Sequence, residues 1–212
     1  MSNVLRECLG QFCLITATGL YLIHLIPQII HTFKKKHHHD LSFTFMWVML
    51  IGFMCDYIFA LVEEMPMLYE LVSVLGLGQM LLWIMLSFNH EHRIETMILL
   101  TLTIIGVIRT MTKIYLSALV PMTDVIYVVS QICFLSCWLM QCARSVHAQS
   151  AQSLSYMMIS LSLCAVYFDY GAAWLLGWRT SYLVFGLIAV FYHSIVQGYL
   201  LLIKRKETRY TL

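Results

Sequence analysis

The sequence predicts an all-α membrane protein with seven transmembrane helices, and three observations carry that prediction. The first is composition. Of 212 residues, 60% are hydrophobic and 11% charged, with a mean hydropathy of +0.79, whereas soluble domains carry roughly 25% charged residues. The second is spacing. Apolar runs of about 20 residues, enough to cross a hydrocarbon core of about 30 Å, recur at 11–33, 41–62, 67–88, 97–119, 123–143, 154–176 and 181–203. The third is repetition. PQIIHTFKKKHHHDLS at 27–42 returns about 113 residues later as MQCARSVHAQSAQSLS at 140–155, and a period of this kind means two copies of one supersecondary unit.

The seven runs are joined by short connections, and lipid tolerates no unpaired backbone, so a helical bundle is the expected solution. Gln28 matches Gln141, Ser42 matches Ser155, and the pair Asp56-Tyr57 matches Asp169-Tyr170. The fourth run has no counterpart. It carries Arg109 and Lys113 in its second half, and Pro121 ends it. Three spans, a linker span and three more spans is the economical arrangement (3+1+3), because an odd-numbered unit needs one extra crossing to give both copies the same orientation. The expected parts are a first three-helix repeat at 1–94, a linker helix at 95–121, and a second repeat with the tail at 122–212. The copies are then parallel repeats about an axis along the membrane normal.

Orientation follows from the loop cations. Lys34, Lys35, Lys36, Arg93, Arg144, Lys204, Arg205, Lys206 and Arg209 fall on one side, and Arg6 and Arg179 on the other. The amino terminus is expected outside or in a lumen and the carboxyl terminus in the cytoplasm. The start MSNVLRECLG shows no cleavage pattern, so the first span is expected to target the chain. A net charge of +2 gives no basis for a nucleic-acid partner. The seven cysteines are odd in number, lack metal spacing, and read as small buried apolar residues. Three adjacent histidines, His37 to His39, do not share a direction, and no metal or cofactor is expected.

The Pro27-Gln28 pair, the basic run Lys34 to Lys36 and Leu41-Ser42 resemble the PQ-loop superfamily, which includes the SWEET sugar carriers and the cystinosin-like and cationic amino-acid transporters. The resemblance covers nearly the whole chain in topology. The second copy departs at its first position, with Met140 in place of proline, and keeps Gln141, Leu154 and Ser155. The resemblance implies a transporter that works by alternating access, with hinges at Pro27, Gln28, Met140 and Gln141. Proline removes a donor and kinks a helix. In a membrane the freed carbonyl needs a partner, which Gln28 can supply.

Asp56 and Asp169 are the sharpest chemical features. An ionisable group in a membrane helix costs about 2.5–3.5 kcal/mol on insertion scales and therefore faces a cavity or a partner. Each lies about 14 residues past its serine, near 21 Å of helix rise. Tyr57, Tyr170 and Arg179 are candidate neighbours. A second polar set, Gln79, Trp83, Tyr192, His193 and Gln197, falls at depths suited to pocket lining or to interhelical hydrogen bonds, and His24 precedes the kink. Arg109 and Lys113, four apart on one face, snorkel outward or pair with Glu70 or Asp124.

These features point to proton-coupled transport of a small polar solute, most simply a cationic amino acid or cystine. Partners are then the solute (amino acid or sugar), protons and the bilayer; self-association into a homo-oligomer stays open. A SWEET-like sugar uniporter is the first alternative, but the only asparagines are Asn3 and Asn89, and uniport of sugar needs no buried carboxylate. A seven-helix receptor for a peptide tail is the second, with Arg109 and Arg179 as the cations such a cavity needs. An enzyme is not expected. An intramembrane protease would use two aspartates, yet the Gly-x-Gly-Asp pattern of those proteases is missing.

Overall fold

The computed structural model describes residues 3–34, 42–65, 67–88, 94–178 and 180–210. Its regular elements are all helical: α1 (Asn3–Ile23), α2 (Ile26–Lys34), α3 (Phe43–Val62), α4 (Met67–Phe88), α5 (Ile94–Ile114), α6 (Leu116–Leu119), a 3-10 turn at Val120–Met122, α7 (Thr123–His147), α8 (Tyr156–Leu176) and α9 (Thr180–Tyr210). Six stretches among the described residues are long and apolar enough to cross a membrane: Asn3–Thr32, Phe43–Val62, Met67–Ser87, Leu116–His147, Tyr156–Leu176 and Tyr182–Lys206. α5, with 21 residues, is a further helix of spanning length. Large apolar side chains such as Phe12, Ile15, Phe191 and Ile195 stand exposed along these helices, as a lipid-facing surface requires.

Three details differ from the apolar runs. The first run is broken at His24-Leu25 into α1 and α2, because Pro27 has no amide to donate to the carbonyl of Ile23 and its ring crowds that turn. The fourth is interrupted at Tyr115. α1 also begins at Asn3, well before residue 11. These extra turns bring Arg6 to the end of α8, where Nε donates to the Leu175 carbonyl at 2.8 Å and Nη2 to the Trp174 carbonyl at 3.1 Å. A cation on the last carbonyls of a helix satisfies orphan acceptors and complements the dipole. Gly177, at φ +71°, closes the same helix end in the left-handed conformation that glycine adopts without strain. Arg6→Gln is expected to lower stability by about 1 kcal/mol. Thermal unfolding in detergent checks this, and an unchanged midpoint would remove the cap from the account.

The two Leu-Ser positions have a shared local meaning. Ser42 and Ser155 are the N-caps of α3 and α8, their hydroxyls accepting from the amides of Phe45 and Met158 at 3.2 and 3.4 Å. The long-range packing repeats as well. α1 packs most extensively on α8, and α3 on α7, so the first helix of each copy lies against the second helix of the other. α3 also packs on α4, and α8 on α9. The α3–α7 contact is close because Gly52 has no side chain; a Cβ there would stand 3.0 Å from the Phe134 ring, and Ser130 donates to the Gly52 carbonyl at 3.2 Å. Small residues at such crossings let backbones approach in a membrane. The main core gathers Leu25, Phe45, Met46, Trp83, Trp138, Leu154 and Met158. α5 lies against α3 and α4, with Arg109 paired to Glu70 at 3.4 Å.

Candidate solute cavity

The glutamines of the repeated motif do not stay within their own copies. Gln28 is fully buried. Its Nε2 donates to the Ser153 carbonyl at 2.8 Å and to Thr32 Oγ1 at 3.3 Å, and its Oε1 accepts from the Ser155 amide at 2.7 Å. In the matching positions, Gln141 Oε1 accepts from the Ser42 amide at 2.9 Å and Nε2 donates to Ser145 Oγ at 3.1 Å. Each glutamine therefore satisfies an amide at the start of the other copy's second helix, a group no helix bonds internally. His31 Nε2 donates to the Gln152 carbonyl at 2.7 Å and Lys204 Nζ to the Ala151 carbonyl at 2.9 Å. The α7–α8 connection is thus gripped from both α2 and α9.

Gln79 and Tyr192 form a second matched pair. Gln79 donates to the Leu22 carbonyl beside the α1–α2 break, and Tyr192 to the Leu135 carbonyl. Gln79 on α4 thus serves the Leu22 carbonyl, one residue before the carbonyl that Pro27 frees, and Gln28 is engaged elsewhere. α7 runs through Met140 and Gln141 without interruption, since methionine keeps the amide that proline lacks.

Between α1, α3, α4, α7, α8 and α9 lies a cavity of about 140 Å³. Asp56 and Asp169 both line it. Tyr170, His24 and His193 line it too. Its remaining wall mixes aromatic residues, among them Tyr21, Tyr69, Tyr127, Tyr182, Trp138 and Trp178, with aliphatic and small ones and Gln131, and no lysine or arginine stands among the described residues of the lining. Tyr127 and Tyr182 pack with ring centroids 4.4 Å apart, and Trp178 stands edge-on to Tyr182 at 6.0 Å.

Each polar side chain in the wall has its own setting. Tyr69 Oη donates to Asp56 Oδ1 at 2.7 Å, and Ser73 Oγ donates to Asp56 Oδ2. Asp169 receives no hydrogen bond from a described residue. His24 Nδ1 donates to the Tyr21 carbonyl at 2.6 Å. The Gln197 amide nitrogen lies 3.0 Å from His193 Nδ1 and donates to Ser162 Oγ at 3.2 Å.

Five residues singled out in the sequence thus meet at one cavity: His24, Asp56, Asp169, Tyr170 and His193. Tyr57, Gln79, Trp83, Tyr192 and Gln197 are not in its lining. Tyr57 and Trp83 are core residues, with Trp83 Nε1 donating to Thr32 Oγ1 at 2.9 Å, while Gln79, Tyr192 and Gln197 serve as interhelical or supporting hydrogen-bond donors. Arg109 is engaged by Glu70 and is also outside the lining. Lys35 to Leu41, Arg93 and Arg179 lie outside the described residues. Sequence reasoning missed Tyr21, Tyr69, Tyr127, Tyr182, Trp138 and Trp178. One signal was available: Tyr69 and Tyr182 share the offset that relates the two aspartates.

Fold and cavity together describe a polytopic helical membrane protein with an acid-bearing cavity between its helices. Residues 9–67 match the family model described as the PQ loop repeat, which supports membership of the PQ-loop superfamily; the matched stretch holds Pro27, Gln28, Ser42 and Asp56. Neither the curated proteins nor the solved structures gave a match. Family and helices are consistent with a membrane transporter.

Proposed function

We propose that this protein moves a small cationic solute, foremost a cationic amino acid, across its membrane by alternating access coupled to protons. The observation that carries the reading is the pair of matched carboxylates on one aromatic-walled cavity with no lysine or arginine among its described lining residues. A net positive solute supplies the charge that such buried acids otherwise lack. Aromatic faces add cation–π attraction of about 0.5–2 kcal/mol. Cystine, neutral overall, fits this field less well than lysine or arginine. A cavity of about 150 Å³ accepts benzene, so a lysine-length solute requires this cavity to widen when it binds.

Proton coupling follows from the same groups. A proton on a cavity carboxylate and a cation beside it compete for one negative charge, so each lowers the affinity for the other and a pH gradient biases solute binding and release on the two sides. Two three-helix units meeting at the cavity, with Pro27 as a bend in one of them, provide the moving parts. The peptide-receptor reading has less support, because Arg109 is paired with Glu70 away from the cavity.

The test is uptake in proteoliposomes of labelled lysine, arginine, cystine and glucose, with and without a pH gradient. Saturable lysine or arginine uptake that rises with the gradient is expected. It should fall by at least about tenfold in the Asp56→Asn/Asp169→Asn double variant, the equivalent of one lost charge-assisted contact. Glucose uptake without cationic uptake would overturn the proposal in favour of a sugar carrier.

A further inference from the structure

Asp56 and Asp169 occupy matched positions, but their surroundings do not match. Both Asp56 oxygens accept hydroxyl protons, from Tyr69 and Ser73 on α4, and the residue is buried at 8% exposure. At the position corresponding to Ser73 the second copy has Gly186. At the position corresponding to Tyr69 it has Tyr182, whose ring packs on Tyr127, Trp178 and Phe59. Asp169 is half-buried at the cavity wall, with no hydrogen-bond donor among the described residues.

The glycine has a steric reason. A Cβ at 186 would stand 2.9 Å from Cδ2 of Tyr170, a cavity-lining ring. A serine clasp on Asp169 like the one on Asp56 is therefore incompatible with the present place of Tyr170. The same substitution that removes the donor seats the aromatic wall beside the carboxylate.

We propose that Asp169 alone is the carboxylate that contacts the solute, with Tyr170 beside it as part of the wall, and that Asp56 is a fixed negative neighbour held by Tyr69 and Ser73. A carboxylate already satisfied by two donors must lose a partner to accept a ligand's ammonium, and hydrogen bonds to charged groups are the strong ones. A carboxylate without protein donors has no such partner to give up. This inference rests on the cavity being the solute's site, and it specifies which of two similar acids recognises the cation.

The experiment labels the full-length protein in liposomes with dicyclohexylcarbodiimide, a lipid-soluble reagent for membrane carboxyls, and quantifies both aspartates by peptide mass spectrometry. Asp169 is expected to be modified at least about tenfold more than Asp56, given the strength of bonds to charged groups. In the Tyr69→Phe/Ser73→Ala variant, Asp56 labelling should rise to within about threefold of Asp169. Saturating lysine should protect Asp169. Equal labelling in the wild type, preferential labelling of Asp56, or no labelling of Asp169 would each overturn the division between the two acids. Asymmetric labelling that lysine fails to reduce would uphold the division and instead overturn the cationic reading of the cavity. Kinetics give a second readout: Asp169→Asn should raise the KM for lysine by about tenfold or more, and by clearly more than Asp56→Asn, which removes a neighbouring charge but not the contact. A matching rise in both variants would count against the proposal.

Discussion

Gln28→Leu is expected to cost the folded protein about 2–6 kcal/mol. Leucine fills much of the same space but can neither donate nor accept. The Ser153 carbonyl and the Ser155 amide then lose their shared partner in a site where Gln28 itself has no exposure. A buried group that loses a hydrogen-bond partner costs about 1–3 kcal/mol. Thermal unfolding of the detergent-solubilised protein, with denaturant titration for the free-energy scale, measures the loss. A change below about 0.5 kcal/mol, the range of ordinary surface substitutions, would refute the crossing bond as a stabilising element. Gln141→Leu should behave similarly, because it strips the Ser42 amide of its acceptor.

Trp83→Ala is expected to lower stability by about 3–5 kcal/mol, the range for deleting a large buried aromatic. Trp83 has no exposure, stands edge-on to Phe45 at 5.7 Å, and bonds Thr32. Those contacts place it at the junction of α2, α3 and α4, away from the cavity. The expected signature is therefore a large fall in thermal stability with the KM for solute nearly unchanged in protein that remains folded. A selective loss of solute affinity without a stability change would return Trp83 to the binding wall. Trp83→Phe, which keeps one aromatic ring but loses the N–H and part of the indole volume, should recover part of the loss.

Much of the local structure was legible because it is written in short-range signals. Leu-Ser opened both second helices, and Pro27 broke the first span where its missing amide required. The acids at Asp56 and Asp169 were legible because charge in an apolar run is costly wherever it lies. The roles of Gln28, Gln79, Trp83 and Tyr192 were not. In a soluble helix the polar face marks the solvent side, whereas lipid and bundle interior are both apolar, so periodicity does not say which way Gln79 or Trp83 turns. Nor does a one-dimensional offset say that Gln28 reaches the other copy's serine instead of its own kink. The tyrosine wall was hidden for the same reason, since Tyr21 and Tyr127 sit in apolar runs that read equally well as lipid-facing. The exchange of Ser73 for Gly186 was present in the letters, but its meaning needed the position of Tyr170.

The reciprocal glutamine bonds carry a consequence for how the chain is made. While the ribosome is still short of Gln141, the amide of Ser42 has no acceptor there, and Gln28 in turn waits for a connection not yet synthesised. Domains ordinarily mature as units, amino-terminal first, but here the early half is inserted with its key polar contacts unfinished. The nascent bundle is therefore completed by its own sequel, and the interval before that completion is when cellular quality control has most to recognise.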